Sequence, residues 1–210
     1  MAESDLISQD AVDLIVDEEV SGKEVYERHY RHPEWPGGES GVTIGIGYDV
    51  GYAGIKELRS DWSGKIPDDM ISVLMTCIGL TSGEASRILP SVRGKVDVPW
   101  DAAMSVFLYH DVPKWYGICK SKLPNFEELS QDCRGALVSL AYNRGPSFDS
   151  KGDRYREMRN IKALMASKDF HAIPAQFRSM KRLWAKQSMR GLVARREHEA
   201  VLFEHGLGAT

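Results

Sequence analysis

Cysteine is scarce in this chain of 210 residues, which has three: Cys77, Cys119 and Cys133. An odd number at long spacings makes neither a disulfide framework nor a zinc pattern, so all three are expected to be reduced packing residues. No apolar run approaches the roughly 20 residues that span a bilayer, which excludes stable membrane insertion through a helix. The opening M-A-E-S-D-L-I-S-Q-D lacks the basic start and apolar core of a secretory signal, so the chain reads as made in the cytoplasm without a leader. Internal repeats, low-complexity tracts and flexible linkers are also missing. Strand signals are confined to one short stretch. What remains is one domain with an ordinary soluble composition, 42% hydrophobic and 27% charged, large enough for a sizeable core.

Charge is unevenly distributed behind a net value of -3. Residues 1–20 carry Glu3, Asp5, Asp10, Asp13, Asp17, Glu18 and Glu19 and no base. Residues 178–196 carry Arg178, Lys181, Arg182, Lys186, Arg190, Arg195 and Arg196 and no acid. The two stretches are expected to be solvated faces that attract each other. No nucleic-acid motif accompanies the basic one, so no nucleic-acid partner is expected.

Helical periodicity dominates. Ser8 is placed to cap a helix in which Ala11, Val12, Leu14 and Ile15 recur at helical spacing and which ends in Asp17, Glu18 and Glu19. Residues 28–41, rich in proline and glycine, read as loop. Short helices follow at about 53–60 and 67–77, and Thr81 with Glu84 forms a capping box for a third. Pro99 opens a helix through Tyr109 that is expected to break near Pro113. The clearest pattern follows Ser130: Cys133, Ala136, Leu137, Leu140 and Ala141 share one face, and Gly145-Pro146 ends the run. Further helices are expected at about 153–166 and 192–203, joined by a proline-containing, basic and aromatic connection.

The stretch G-V-T-I-G-I-G-Y-D-V-G, residues 41–51, alternates Val42, Ile44 and Ile46 with Thr43 and glycines and then turns at Tyr48 and Asp49. It carries neither a dinucleotide fingerprint nor a phosphate loop. His29 and His32 have no acidic or cysteine partners at ligand spacing, so no metal is expected. The chemistry the pattern does suit is glycosidic-bond cleavage, which needs one carboxyl group shielded enough to donate a proton and one that stays ionised. A glutamate at the end of the first helix fits the first role. Asp49, in a turn beside backbone amides, fits the second, and the Thr43 hydroxyl can orient water.

Four segments in order, L-I-V-D-E-E-V, T-I-G-I-G-Y-D-V-G, A-L-V-S-L-A-Y-N-R-G and G-L-V-A-R-R-E-H-E-A-V-L-F, resemble the phage-type lysozymes, and most of all their pesticin-like branch. The resemblance runs from about residue 14 to residue 204. It implies an α+β, predominantly α, two-lobed fold, with a small lobe at about 14–62 and a helical lobe at about 66–206. It also implies an N-acetylmuramidase that cuts the β-1,4 bond between N-acetylmuramic acid and N-acetylglucosamine in peptidoglycan, with inversion, no cofactor, and action at the cell wall. Carried over by position, the acid is Glu19 and the threonine Thr43. The second carboxylate is Asp49, six residues after Thr43, rather than Glu39, which precedes it.

Glu18 competes with Glu19, because helical phase puts it nearer the centre of the apolar face. Tyr48, Asn143 and Arg144 are candidates to contact the sugars, while Arg195 and Arg196 are expected to pair with Glu199 or the acidic first helix. A monomer is expected. The competing class is a non-catalytic glycan- or protein-binding module on the same scaffold.

Overall fold

A computed structural model describes residues 6–184 and 189–208; Glu3, Asp5 and Lys186 lie outside them. The fold is predominantly helical, with one two-stranded antiparallel sheet, so an α+β architecture dominated by α is what forms. Two compact units divide the chain, one made of residues 1–18 with 112–210 and the other of residues 19–111. The expected boundary at 62–66 falls inside the second unit.

The discontinuous unit begins with α1 (Gln9–Val20), whose last two residues belong to the other unit. Ser8 caps it as anticipated, its Oγ accepting from the Ala11 amide at 3.1 Å. The core of this unit is α8 (Gln131–Arg144), capped by Ser130 and buried from Asp132 through Ala141 except at Arg134. Gly135 on α8 lies so close to α1 that an added Cβ would stand 2.1 Å from the Ala11 Cβ. Around α8 are α7 (Val112–Lys122), α9 (Arg156–Ser167), α10 (Ile173–Met180) and α11 (Arg190–Gly208). Two of these depart from expectation. The run from Pro99 does not break at Pro113. A π-helical turn, Phe107–Asp111, intervenes, and Pro113 then occupies the first turn of α7, where the missing N–H is not needed. Likewise the proline-containing connection folds as α10, with Pro174 in its first turn.

Charge inside this unit is paired differently from the expected attraction between the two ends. Arg178 pairs with Glu197 and Glu204, Lys181 with Glu197, and Arg182 with Glu157 and Asp153. These acids come from α9, α11 and the turn before α9. Arg195 and Arg196 are buried and both reach Glu199, whose Oε1 also accepts from the Ser139 hydroxyl. Cys119 and Cys133 are free and buried here, as Cys77 is in the other unit.

The continuous unit starts with α2 (Lys23–His29), which the sequence pattern did not reveal, and then runs through a loop into β1 (Thr43–Ile44) and β2 (Tyr48–Asp49). Four helices follow: α3 (Ile55–Trp62), α4 (Asp68–Met75), α5 (Ser82–Val92) and α6 (Trp100–Val106). Thr81 precedes α5, but its side chain makes no cap hydrogen bond, so the expected capping box is not formed. The loop of residues 30–41 is tied down by specific bonds instead of regular structure. Arg31 makes a two-pronged pair with Asp97 at 2.6 and 2.7 Å, the Tyr26 hydroxyl donates to the Val98 carbonyl, and Arg93 donates to the Pro33 carbonyl.

Candidate active site

Thr43 is the centre of the candidate site. Its amide and carbonyl both bond to Glu34, at 2.7 and 2.9 Å, forming an antiparallel bridge on one side. On the other side it is in register with Asp49. Because its backbone groups are used on Glu34, Thr43–Asp49 is a non-hydrogen-bonded pair, the closer of the two antiparallel spacings. Residues directly opposite one another share a face, so Glu34, Thr43 and Asp49 stand in a row on it, and the Thr43 hydroxyl donates to the Gly41 carbonyl at 3.4 Å.

The Asp49 carboxylate is held by backbone. It accepts from the Gly41 amide at 3.0 and 3.1 Å and from the Gly51 amide at 2.9 Å. A Cβ at Gly41 would lie 2.3 Å from Asp49 Oδ1, so only glycine leaves room for this arrangement. Burial pushes the Asp49 carboxyl above its ordinary value of 3.8, and the Gly41 and Gly51 amides pull it back in part.

A pocket of about 310 Å³ opens in this unit, at the small end of the range for ligand sites. Glu19, Tyr30, His32, Glu34 and Thr43 line it, with Gly45 and Gly47 of the hairpin turn. Glu19 comes from the last turn of α1. Its neighbour Glu18 is committed elsewhere, its Oε1 lying 2.8 Å from Nδ1 of His198 on α11. Helical phase favours Glu18, but it is Glu19 that lines the pocket. His32 Nδ1 lies 2.8 Å from the Val96 carbonyl, and since a carbonyl only accepts, that nitrogen carries the proton. Glu34 pairs with Arg93 at 3.3 Å.

Glu34 is the residue that sequence reasoning missed. It sits in H-P-E-W, which reads as loop, and the bridge to Thr43 is a pairing of single residues with no periodic signal. Neither Asp49 nor Glu39, the alternative second carboxylate, is among the residues lining the pocket; Asp49 stands beside Thr43 in the sheet register, whereas Glu39 is exposed.

Three other candidates occupy different surroundings. Tyr48 is 5% exposed, its ring packs edge-on against Trp62, and its hydroxyl donates to Asp61 at 2.9 Å. The expected sugar platform is thus a core side chain in this structure, with no open ring face. Asn143 and Arg144, at the end of α8, contact residues of the discontinuous unit. Asn143 Oδ1 accepts from Arg196, while Arg144 donates to the Arg154 carbonyl and lies over the Trp184 ring. Burial, with Arg196 nearby, lowers the Arg144 pKa to about 10.

The chain belongs to a family described as a domain of unknown function, DUF8812, whose model matches residues 16–187. Glu19, Glu34, Thr43 and Asp49 all lie within the matched span. Comparison with the curated proteins gives no match.

Proposed function

We propose that this protein is a peptidoglycan hydrolase, an N-acetylmuramidase cutting the β-1,4 bond between N-acetylmuramic acid and N-acetylglucosamine. The observation that carries the reading is that Glu19 and Thr43 line one pocket, with Thr43 flanked in register by Glu34 and Asp49. Glu19 donates a proton to the leaving glycosidic oxygen. Thr43 and ionised Asp49 hold the attacking water on the opposite face of the sugar, which inverts the anomeric carbon. Glu34, at the pocket wall, accepts hydrogen bonds from sugar hydroxyls. The sequence resemblance to phage-type lysozymes supports the same roles for Glu19, Thr43 and Asp49. The working form is a monomer acting on the cell wall, and among the described residues no helix is long and apolar enough to cross a membrane.

One observation favours a second reading, a glycan-binding module without catalysis: the Asp49 carboxylate already accepts from two backbone amides. Clearing of a turbid suspension of purified peptidoglycan decides between them. Hydrolysis by the wild-type chain that is lost in Glu19→Gln, with the fold intact by circular dichroism, is the expected result. Sedimentation with peptidoglycan without clearing would replace the enzyme by the binding module.

A further inference from the structure

In the discontinuous unit, side chains from three helices converge. Asp10 near the start of α1, Asp132 in the first turn of α8 and His205 in the last turn of α11 each offer one ligand atom, all within 4.8 Å of one another. Backbone packing fixes this convergence. Ala11, next to Asp10, lies against Gly135 of α8. Gly206, next to His205, lies against the start of α8, where an added Cβ would be 2.8 Å from Asp132 Cβ and 2.8 Å from Cys133 Sγ. Both close approaches require the absence of a side chain, so the three helices meet at a spacing that larger residues would forbid.

The donors are also chemically matched. Asp132 is largely buried, and its Oδ2 lies 2.6 Å from His205 Nδ1, while Asp10 and His205 face solvent. Two carboxylates exceed the charge that one imidazolium can neutralise. A pocket of about 350 Å³ adjoins the group, lined by Asp10, His198, Val201, Leu202 and His205. It gives an ion and its remaining waters access from solvent.

We propose that Asp10, Asp132 and His205 form a binding site for a divalent first-row transition ion of the zinc class. One imidazole nitrogen and two carboxylate oxygens suit such an ion, whereas calcium and magnesium take shells of oxygen alone. Ligands at about 2.0–2.2 Å from a metal lie within roughly 4.4 Å of each other, so rotation of the exposed Asp10 and His205 side chains closes the site. The His205–Asp132 hydrogen bond is replaced by two metal bonds. A bound ion then clips α1 to α8 and α11.

The test uses the untagged, metal-free full chain titrated with zinc chloride by calorimetry, with cobalt(II) absorption as a report on coordination. One ion per chain is expected, with a rise in Tm of about 5 °C at a hundredfold excess over Kd. Asp10→Asn, a surface change, should weaken binding at least about tenfold while leaving the metal-free Tm in place, and His205→Gln should weaken binding at least as much. Absence of stoichiometric binding would reduce the cluster to an ion pair. Binding undiminished in both variants, or equal affinity for magnesium, would overturn the assignment.

Discussion

Thr43 and Asp49 face each other across the β1–β2 register as a non-hydrogen-bonded pair, the arrangement that brings opposing side chains closest. A water held between a hydroxyl and a carboxylate needs this proximity. Thr43→Ala and Asp49→Asn should each lower the rate of peptidoglycan hydrolysis by about a hundredfold or more, with KM little changed. Initial rates on a soluble muropeptide oligomer measure both constants, and unaltered kcat in either variant would remove that residue from the reaction.

Glu34 lies on the other side of Thr43 and lines the same pocket as Glu19. As a sugar-binding group it predicts that Glu34→Gln raises KM by roughly tenfold and leaves kcat within a few-fold of wild type. The opposite split, an abolished kcat at normal KM, would transfer the water-activating role from Asp49 to Glu34.

The position of Asp49 sets a pH limit. Burial raises its carboxyl above 3.8, so the ionised form is lost at a higher pH than for an exposed aspartate. Activity should therefore fall on the acid side through an inflection above 3.8, and Asp49→Asn, in whatever rate remains, should lack that inflection. The same shift has a stability consequence of defined sign. A carboxyl whose folded pKa is raised favours the folded state below its unfolded pKa, and that contribution disappears as pH rises through the folded value.

Glu157 has the opposite sign. Burial alone would raise its carboxyl, but Arg182 and Arg156 hold it below 4.5. A depressed carboxyl stabilises the fold above its unfolded pKa, and the contribution is lost as pH falls through the folded value. Thermal melts between neutral and acid pH should thus show wild type losing stability below about pH 4.5 more steeply than Glu157→Gln.

The buried group of Arg195, Arg196, Glu199 and Ser139 supplies a prediction about the discontinuous unit alone. Glu199 is fully buried and both guanidinium groups bond to it. Glu199→Gln leaves two cations without their counter-charge, and a loss of about 3–5 kcal/mol is expected, on the order of 10 °C in Tm. Ser139→Ala should cost less, about 1–3 kcal/mol, since it removes the hydroxyl's hydrogen bonds to the same carboxylate and from Arg195 but leaves the charges paired. A smaller loss for Glu199→Gln than for Ser139→Ala would show that the ion pairs are dispensable.

Which parts of this were legible beforehand follows the range of the forces involved. The α8 core, its Ser130 cap and the Ser8 cap of α1 are local, periodic features, and they appear where hydrophobic spacing and capping chemistry put them. The hairpin at 43–49 is equally local, but its turn falls at 45–47, and Tyr48 and Asp49, expected in the turn, form β2 and pair with β1 instead. Proline misled the reading twice, at Pro113 and Pro174, because its cost depends on whether it falls in a first turn or an interior one, and a preceding π turn is invisible to helical periodicity. The carboxylate of Glu34 escaped notice because a bridge of one residue leaves no pattern. Tyr48 looked like a sugar platform until Trp62 and Asp61, distant from it by more than a turn, enclosed it. The family of unknown function adds no roles to these residues, so the activity rests on the proposed chemistry and its tests.

The division of the chain bears on how the molecule is made. Residues 19–111 form one uninterrupted stretch, while the other unit needs residues 1–18 together with 112–210. During synthesis the pocket-bearing unit is complete before α8 and α11 exist, so it has the opportunity to fold first. The first part of α1 must wait for its partners: the Glu18–His198 contact spans 180 positions, so His198 is translated long after α1. Until then the apolar face of Ala11, Val12 and Ile15 has nothing of its own unit to cover it, which leaves the first part of α1 open to chaperones and proteases.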